Sequence, residues 1–152
     1  MPYFSTKQFG PISTGHRQWR DDGHCAYLHG YGRKVKVIFG CDKLDDKNWV
    51  VDFGGLKEFR KWLEGEWDHR MLISSDDPEL DLFIELDNKG IIDLNVMEAA
   101  YGYGPGIEAS CKYVYDHLQS VVNELTVGRC WVQTVEIWEH ELNSAIYERP
   151  AV

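Results

Sequence analysis

Arg33-Lys34-Val35-Lys36-Val37-Ile38-Phe39-Gly40-Cys41 is the stretch on which the reading of the fold turns. Val35, Val37 and Phe39 alternate with Lys34, Lys36 and Ile38, and a period of two sends successive side chains to opposite faces of a strand. Toward the N-terminus, Tyr3 to Phe9 reads as an earlier strand. The connection from Ser13 to Gly32 is polar and rich in glycine and histidine. Downstream, Trp49 to Phe53 continues extended. Gly55 to Glu66 then carries Leu56, Phe59 and Leu63 at helical spacing with Lys57, Arg60 and Lys61 outside, which predicts a short amphipathic helix. Pro78 after Asp76 and Asp77 is a helix-start signature, and Leu80, Phe83, Ile84 and Leu86 predict a second short helix before Asn88 and Gly90. Ile91 to Met97 reads as a strand. Beyond the Gly-rich turn Tyr101 to Gly106, the residues Ile107, Cys111, Val114, Leu118, Val121 and Leu125 recur on one face over about five helical turns. Cys130 to Glu139 alternates as a long strand, and Ala145 to Tyr147 as a short return strand after an Asn143-Ser144 turn.

Strands first, helices in the middle and strands last define an α+β fold, with helices packed on one face of an antiparallel sheet. A sheet of few strands has exposed edges, whose usual remedies are oligomerisation or closure into a barrel across subunits, so a homo-oligomer is expected. The 152 residues suffice for one sizeable core, which predicts a single domain over 1–152. A formal net charge of -9 argues against nucleic-acid partners, because a phosphate backbone needs clustered Lys and Arg. No stretch approaches the apolar length of a membrane span and Met1 to Gly10 is not a leader, so a cytoplasmic protein without a membrane partner is expected. Cys25, Cys41, Cys111 and Cys130 form no C-x-x-C pair, which suggests neither a zinc knuckle nor a disulfide framework. The six tryptophans either line a pocket for a flat ring or, as large aromatics more often do, fill the core or a subunit interface.

Cys25-Ala26-Tyr27-Leu28-His29-Gly30-Tyr31 puts a thiol and an imidazole in one short segment, with His16 upstream, near enough to meet His29 across adjacent strands. Alternate residues share a face, so His29 and Tyr31 project together while Gly30 permits close approach. Such a set either holds a metal or consists of hydrogen-bonded histidines. Cys25 is either a small apolar residue or, beside a cation, an activated thiol. Asp68-His69 is either a surface turn or a carboxylate fixing the tautomer of an acid-base imidazole. Glu139, ending a strand, is either solvated or accepts two parallel hydrogen bonds from a guanidine-like ring edge. Arg17, Arg20, Arg33 and Lys34 could meet a triphosphate or line a wet strand face.

Taken together and in order, these segments resemble the 6-pyruvoyltetrahydropterin synthase family, which includes 6-carboxytetrahydropterin synthase. Ile12 to Arg17 resembles the family's first histidine motif, and Cys25 to Tyr31 its Cys-x-x-x-His-Gly-His segment. Val50-Val51-Asp52-Phe53 through Leu56-Lys57 is similar to its Asp-Phe and Leu-Lys signature, and Trp67-Asp68-His69 to its Leu-Asp-His. Pro105-Gly106-Ile107-Glu108 resembles its Pro-Thr-x-Glu, and Val135 to Tyr147 the strand whose glutamate anchors the pterin.

The resemblance implies a T-fold, or tunnelling fold: a four-stranded antiparallel sheet with helices on one face, closed into a barrel by trimers that stack as hexamers. Active sites would lie between subunits. It further implies 7,8-dihydroneopterin triphosphate as substrate and, on the carboxy branch that the Cys-x-x-x-His-Gly spacing favours, 6-carboxytetrahydropterin, acetaldehyde and triphosphate as products, feeding queuosine-type base synthesis. Alternatives are a 6-pyruvoyltetrahydropterin synthase, a dihydroneopterin side-chain lyase or epimerase, and a non-catalytic pterin- or purine-binding protein. By resemblance Cys25, Asp68 and His69 are catalytic, Glu139 and Glu108 bind substrate, and His16, His29 and the Tyr31 position hold zinc. The chain departs from the family's pattern at Tyr31, where the third zinc-binding histidine stands, at Gly106 in place of Thr, and in the long segment Ser74 to Gly104. A neutral phenol is a poor zinc ligand, and the nearest spare imidazole, His24, is out of register with His29.

Overall fold

Val35, Val37, Phe39 and Cys41 are fully buried while Lys34 stays exposed, as a period of two requires. The computed structural model describes residues 1–152. Its elements run β1 (Tyr3–His16), β2 (His29–Cys41), α1 (Lys57–Trp67), β3 (Arg70–Ser74), α2 (Leu80–Asn88), β4 (Leu94–Met97), α3 (Ile107–Thr126), β5 (Cys130–His140) and β6 (Asn143–Glu148). The expected four-stranded antiparallel unit is present as β1-β2-β5-β6. Two short parallel strands extend it beyond β1, so the sheet is six-stranded and mixed, in the order β4-β3-β1-β2-β5-β6. The sequence pattern does not reveal β3, because Met71-Leu72-Ile73 is an apolar run without alternation. Leu72 and Ile73 are both fully buried although they point to opposite faces.

The helices bury one stripe each against the sheet. Phe59, Leu63 and Trp67 do so from α1, and Cys111, Val114, Leu118 and Val122 from α3, which lies across β5 and β6. The stripe leaves α3 at Val122, so Val121 is only half-buried and Leu125 is exposed. Trp49 to Phe53 is not a strand. The Val50 carbonyl accepts from Arg129 Nη2 at 2.7 Å and Asp52 Oδ1 accepts from the Gly54 amide at 2.9 Å, so side chains satisfy this backbone where a ladder would have. The β5–β6 turn is Glu141-Leu142, two residues before the expected Asn143-Ser144. No helix is long and apolar enough to cross a membrane.

Two irregularities shape the sheet. The β1–β2 register shifts between Phe9 and Ile12, where Gly10 adopts φ 100° and a side chain would strike the Arg33 carbonyl at 2.6 Å. The β5–β6 register shifts between Trp138 and His140, at the position of Glu139. Both β6 and β4 are edge strands in the single chain.

Candidate active site

The buried face of the sheet continues directly into the site. His29, Tyr31 and Arg33 follow the phase of Val35 and Val37 on β2, Glu139 follows Val135 and Ile137 on β5, and His16 follows Ile12 and Thr14 on β1. The β1–β2 pairing sets His16 opposite His29 and Thr14 opposite Tyr31. Gly30 is needed between them, because a β-carbon there would lie 2.5 Å from the Thr14 carbonyl oxygen. The 17–28 connection folds back over this end. The Gln18 amide donates to the Cys25 carbonyl at 2.9 Å, and the Cys25 amide donates to Asp21 Oδ2 at 3.2 Å.

The result is a cavity of about 590 Å³ into which Cys25, His16, His29, Tyr31, Glu108 and Glu139 open together. Six of the eight residues expected at the site thus converge within one chain. Gln18, Leu142, Asn143 and Ser144 also line it, and sequence reasoning missed them. Gln18 had a signal in the departure at Gly106: a β-carbon there would collide with Gln18 Nε2, so the glycine admits the glutamine amide. Asn143 donates to Glu139 Oε1 at 3.1 Å from the turn that follows the strand. No tryptophan lines the cavity.

None of the cations considered for a triphosphate lines it either. Arg17 makes paired bonds of 2.8 and 2.7 Å to Asp77, and Arg20 pairs with Asp76. Lys34 sits over the Trp138 ring, 4.5 Å from its centroid. Arg33 is fully buried, donating to Ser110 Oγ at 2.9 Å and to the Pro105 carbonyl, with its guanidinium 5.2 Å from the Trp67 ring centroid. Ser110 in turn donates to the Gly104 carbonyl at 2.9 Å. Arg33 therefore ties down the turn from which α3 presents Glu108, and burial lowers its pKa to about 10.

Asp68 and His69 lie elsewhere. Asp68 Oδ2 is 3.1 Å from His69 Nδ1, and Asp68 Oδ1 accepts from the Ser13 amide at 3.2 Å, so the dyad is braced as expected. His69 takes the left-handed conformation at φ 59°, uncommon for a residue with a β-carbon, while its amide donates to the Ser13 carbonyl at 2.7 Å. Its side chain is 82% exposed and opens on a second concavity of about 480 Å³, floored by Gly15, Gly30 and Met71. Tyr31 is the residue common to the two cavities, and within one chain the dyad and Cys25 do not share a pocket.

At the expected zinc position, the Tyr31 hydroxyl stands 3.0 Å from His16 Nε2 and donates to Glu139 Oε2 at 3.0 Å. Burial first, and the Glu139 charge after it, raise the Tyr31 pKa, so the phenol is neutral. Burial, assisted by Arg33 and His29, lowers that of His16 to about 3, so its imidazole is neutral too. His29 Nδ1 donates to the Tyr27 carbonyl at 2.6 Å. His16 Nδ1 is buried with no partner. No group of three His, Cys, Asp or Glu side chains in the chain has the disposition of a metal-binding set. Two imidazoles and a neutral phenol, so bonded, do not fit zinc, which takes three or four thiolate, imidazole or carboxylate donors.

An antiparallel four-stranded unit backed by helices, with its polar cavity at one strand end, defines a tunnelling-fold protein. The fold is shared across its full length with an uncharacterized protein from Wolinella succinogenes (TM-score 0.83, 21% identity, 99% of each chain). It is shared likewise with 6-pyruvoyl tetrahydropterin synthase from Plasmodium falciparum (TM-score 0.68, 16% identity, 97% of this chain and 98% of that one). The family model for 6-pyruvoyl tetrahydropterin synthase matches residues 6–150, and the chain belongs to that family. Among curated relatives, a probable 6-carboxy-5,6,7,8-tetrahydropterin synthase from Halobacterium salinarum is 33% identical over 118 residues, 76% of this chain and 73% of that one. The 6-carboxy-5,6,7,8-tetrahydropterin synthase of Aquifex aeolicus is 28% identical over 154 residues, 90% of this chain and 93% of its own.

Proposed function

We propose that this chain is a lyase of the 6-carboxytetrahydropterin synthase type, breaking a carbon–oxygen bond to release triphosphate and a carbon–carbon bond to release acetaldehyde. It converts 7,8-dihydroneopterin triphosphate and water to 6-carboxy-5,6,7,8-tetrahydropterin, acetaldehyde and triphosphate, in the cytoplasm and on the route to queuosine-type bases. The observation that carries the proposal is the convergence of one thiol, Cys25, with two carboxylates, Glu108 and Glu139, in a single cavity. The relatives named 6-carboxy-5,6,7,8-tetrahydropterin synthase support the choice of reaction.

Carboxylates accept but do not donate hydrogen bonds, so Glu139 and Glu108 select a ring whose edge offers adjacent N–H groups, as a reduced pterin does. Cys25 moves a proton at the substrate side chain. His69, its Nδ1 held by Asp68, is the acid-base partner and reaches the cavity from a second copy of the chain, in a trimer or hexamer whose sites lie between subunits. The exposure of that imidazole supports this arrangement. A second reading, cleavage or epimerisation of the side chain of unphosphorylated dihydroneopterin, is favoured by the absence of Lys and Arg from the cavity lining of one chain.

The test incubates the pure protein separately with dihydroneopterin triphosphate and with dihydroneopterin, with and without added divalent metal, and identifies pterin products by mass spectrometry alongside triphosphate release. Cys25→Ala is expected to lower turnover by about 10²-fold or more. Absence of any pterin product rejects the synthase reading, product from the unphosphorylated substrate alone selects the second, and unchanged turnover in Cys25→Ala removes the thiol from the mechanism.

A further inference from the structure

The position at which the family resemblance expects a third zinc ligand is filled by a hydrogen-bonded phenol, and the bonding has consequences for both histidines. A tyrosine hydroxyl has one proton to give and lone pairs to receive with. Glu139 Oε2, a carboxylate oxygen at 3.0 Å, takes the proton. The phenol oxygen then faces His16 Nε2 at 3.0 Å as an acceptor, which makes that nitrogen an N–H and leaves the imidazole lone pair on Nδ1. Nδ1 is buried and without a partner. Were the proton on the phenol aimed at His16 instead, Nε2 would still be spent on Tyr31 rather than on open space.

His29 keeps a free lone pair on the nitrogen that no hydrogen bond occupies. Its Nδ1–H donates to the Tyr27 carbonyl at 2.6 Å, which fixes Nε2 as the acceptor. The two imidazole rings stay close, 4.5 Å between centroids, and Tyr31 packs edge-on to both at 5.2 and 5.8 Å. A cation on His16 Nε2 would have to displace the phenol from that nitrogen and shift its proton to Nδ1, where the buried N–H would meet no acceptor. In return it would gain two neutral nitrogen ligands, where catalytic zinc sites provide three protein ligands.

We infer that this chain holds no zinc at His16 and His29, and that Tyr31 is the residue that excludes it, its hydroxyl bonded to His16 Nε2 and Glu139 Oε2 where the resemblance expects a ligand nitrogen. Asn143 holds the other oxygen of Glu139 at 3.1 Å, so the carboxylate is oriented from both sides without a metal. The inference concerns metal content and stands whichever pterin is the substrate.

The full-length wild-type protein, Tyr31→His and Tyr31→Phe are purified from zinc-supplemented cultures and their zinc is measured by elemental analysis. Separate samples are loaded with cobalt(II) and scanned for the visible bands of a four-coordinate site. Tyr31→His restores a third imidazole and is expected to hold about one zinc per chain and to show the cobalt bands, whereas wild type and Tyr31→Phe hold less than about one-tenth as much. Stoichiometric zinc in the wild-type protein, whether or not Tyr31→Phe removes it, overturns the inference. So does a folded Tyr31→His variant that remains metal-free. Should Tyr31→His fail to fold, the wild-type zinc content alone decides.

Discussion

Mixed after dissociation and reassociation, Cys25→Ala and His69→Ala chains are expected to recover catalysis that neither possesses alone. Each single variant should lose about 10²-fold to 10⁴-fold in turnover, the span typical of removing a positioned acid-base group. The reason to expect recovery is geometric. Cys25 lines the larger cavity, while His69, braced by Asp68 in a left-handed backbone, faces the other one. If a working site takes its thiol from one chain and its imidazole from a neighbour, random reassembly leaves both groups intact at about a quarter of the junctions. Activity near that fraction of wild type, together with an unchanged oligomer by size exclusion, is the expected reading. Intact mixed oligomers that stay inactive would defeat the placement of the dyad on a second copy, while leaving Cys25→Ala as an independent test of the thiol.

Removal of the Arg33 side chain has the second largest expected effect, on stability first and on substrate affinity through it. Arg33 is fully buried with no carboxylate bonded to it, and its donors satisfy Ser110 Oγ and the Pro105 carbonyl. Arg33→Ala leaves a cavity under Trp67 and strips those acceptors of their donors, and the two losses together should cost about 3 kcal/mol or more. For a domain of this length that lowers the melting midpoint by roughly 10 °C, readable by circular dichroism. Arg33→Lys should recover little of it, because a single ammonium on a flexible stem cannot reproduce a planar fork with two acceptors. The Gly104–Ile107 turn would then hold Glu108 less firmly, so KM should rise more than kcat falls. A variant as stable as wild type, with unchanged KM, would remove Arg33 from the scaffold of the site.

Much of this molecule was legible in its residues, for physical reasons that differ from element to element. The strands β1, β2 and β5 show because each has one buried and one wetter face, β6 because half-buried Ala145 and Tyr147 alternate with exposed residues, and α3 because its stripe persists for several turns. β3 did not show, since a strand covered on both sides carries no alternation. The Trp49 to Phe53 segment misled because its buried Val50 and Val51 resemble strand residues, yet side-chain bonds from Arg129 and Asp52 hold the backbone. At the site, Cys25, His16, His29, Tyr31, Glu108 and Glu139 were nameable from motif order, and the structure brings them into one cavity. What motifs could not convey was the bond from Tyr31 to Glu139, which joins residues 108 positions apart in the chain. Nor could they convey that Arg17 and Arg20 are already committed to Asp77 and Asp76.

The open edge at β6 carries a consequence for how the chain behaves in dilute solution. No strand of the chain pairs with its outer side, and Leu142 and Ile146 are exposed beside it. If a neighbouring copy caps that edge, as the proposed shared site requires, folding is coupled to encounter between molecules and thermal resistance should grow with the amount of protein in the tube. A newly synthesised chain would in that case be at its most vulnerable to mispairing in the interval before it meets another of its kind.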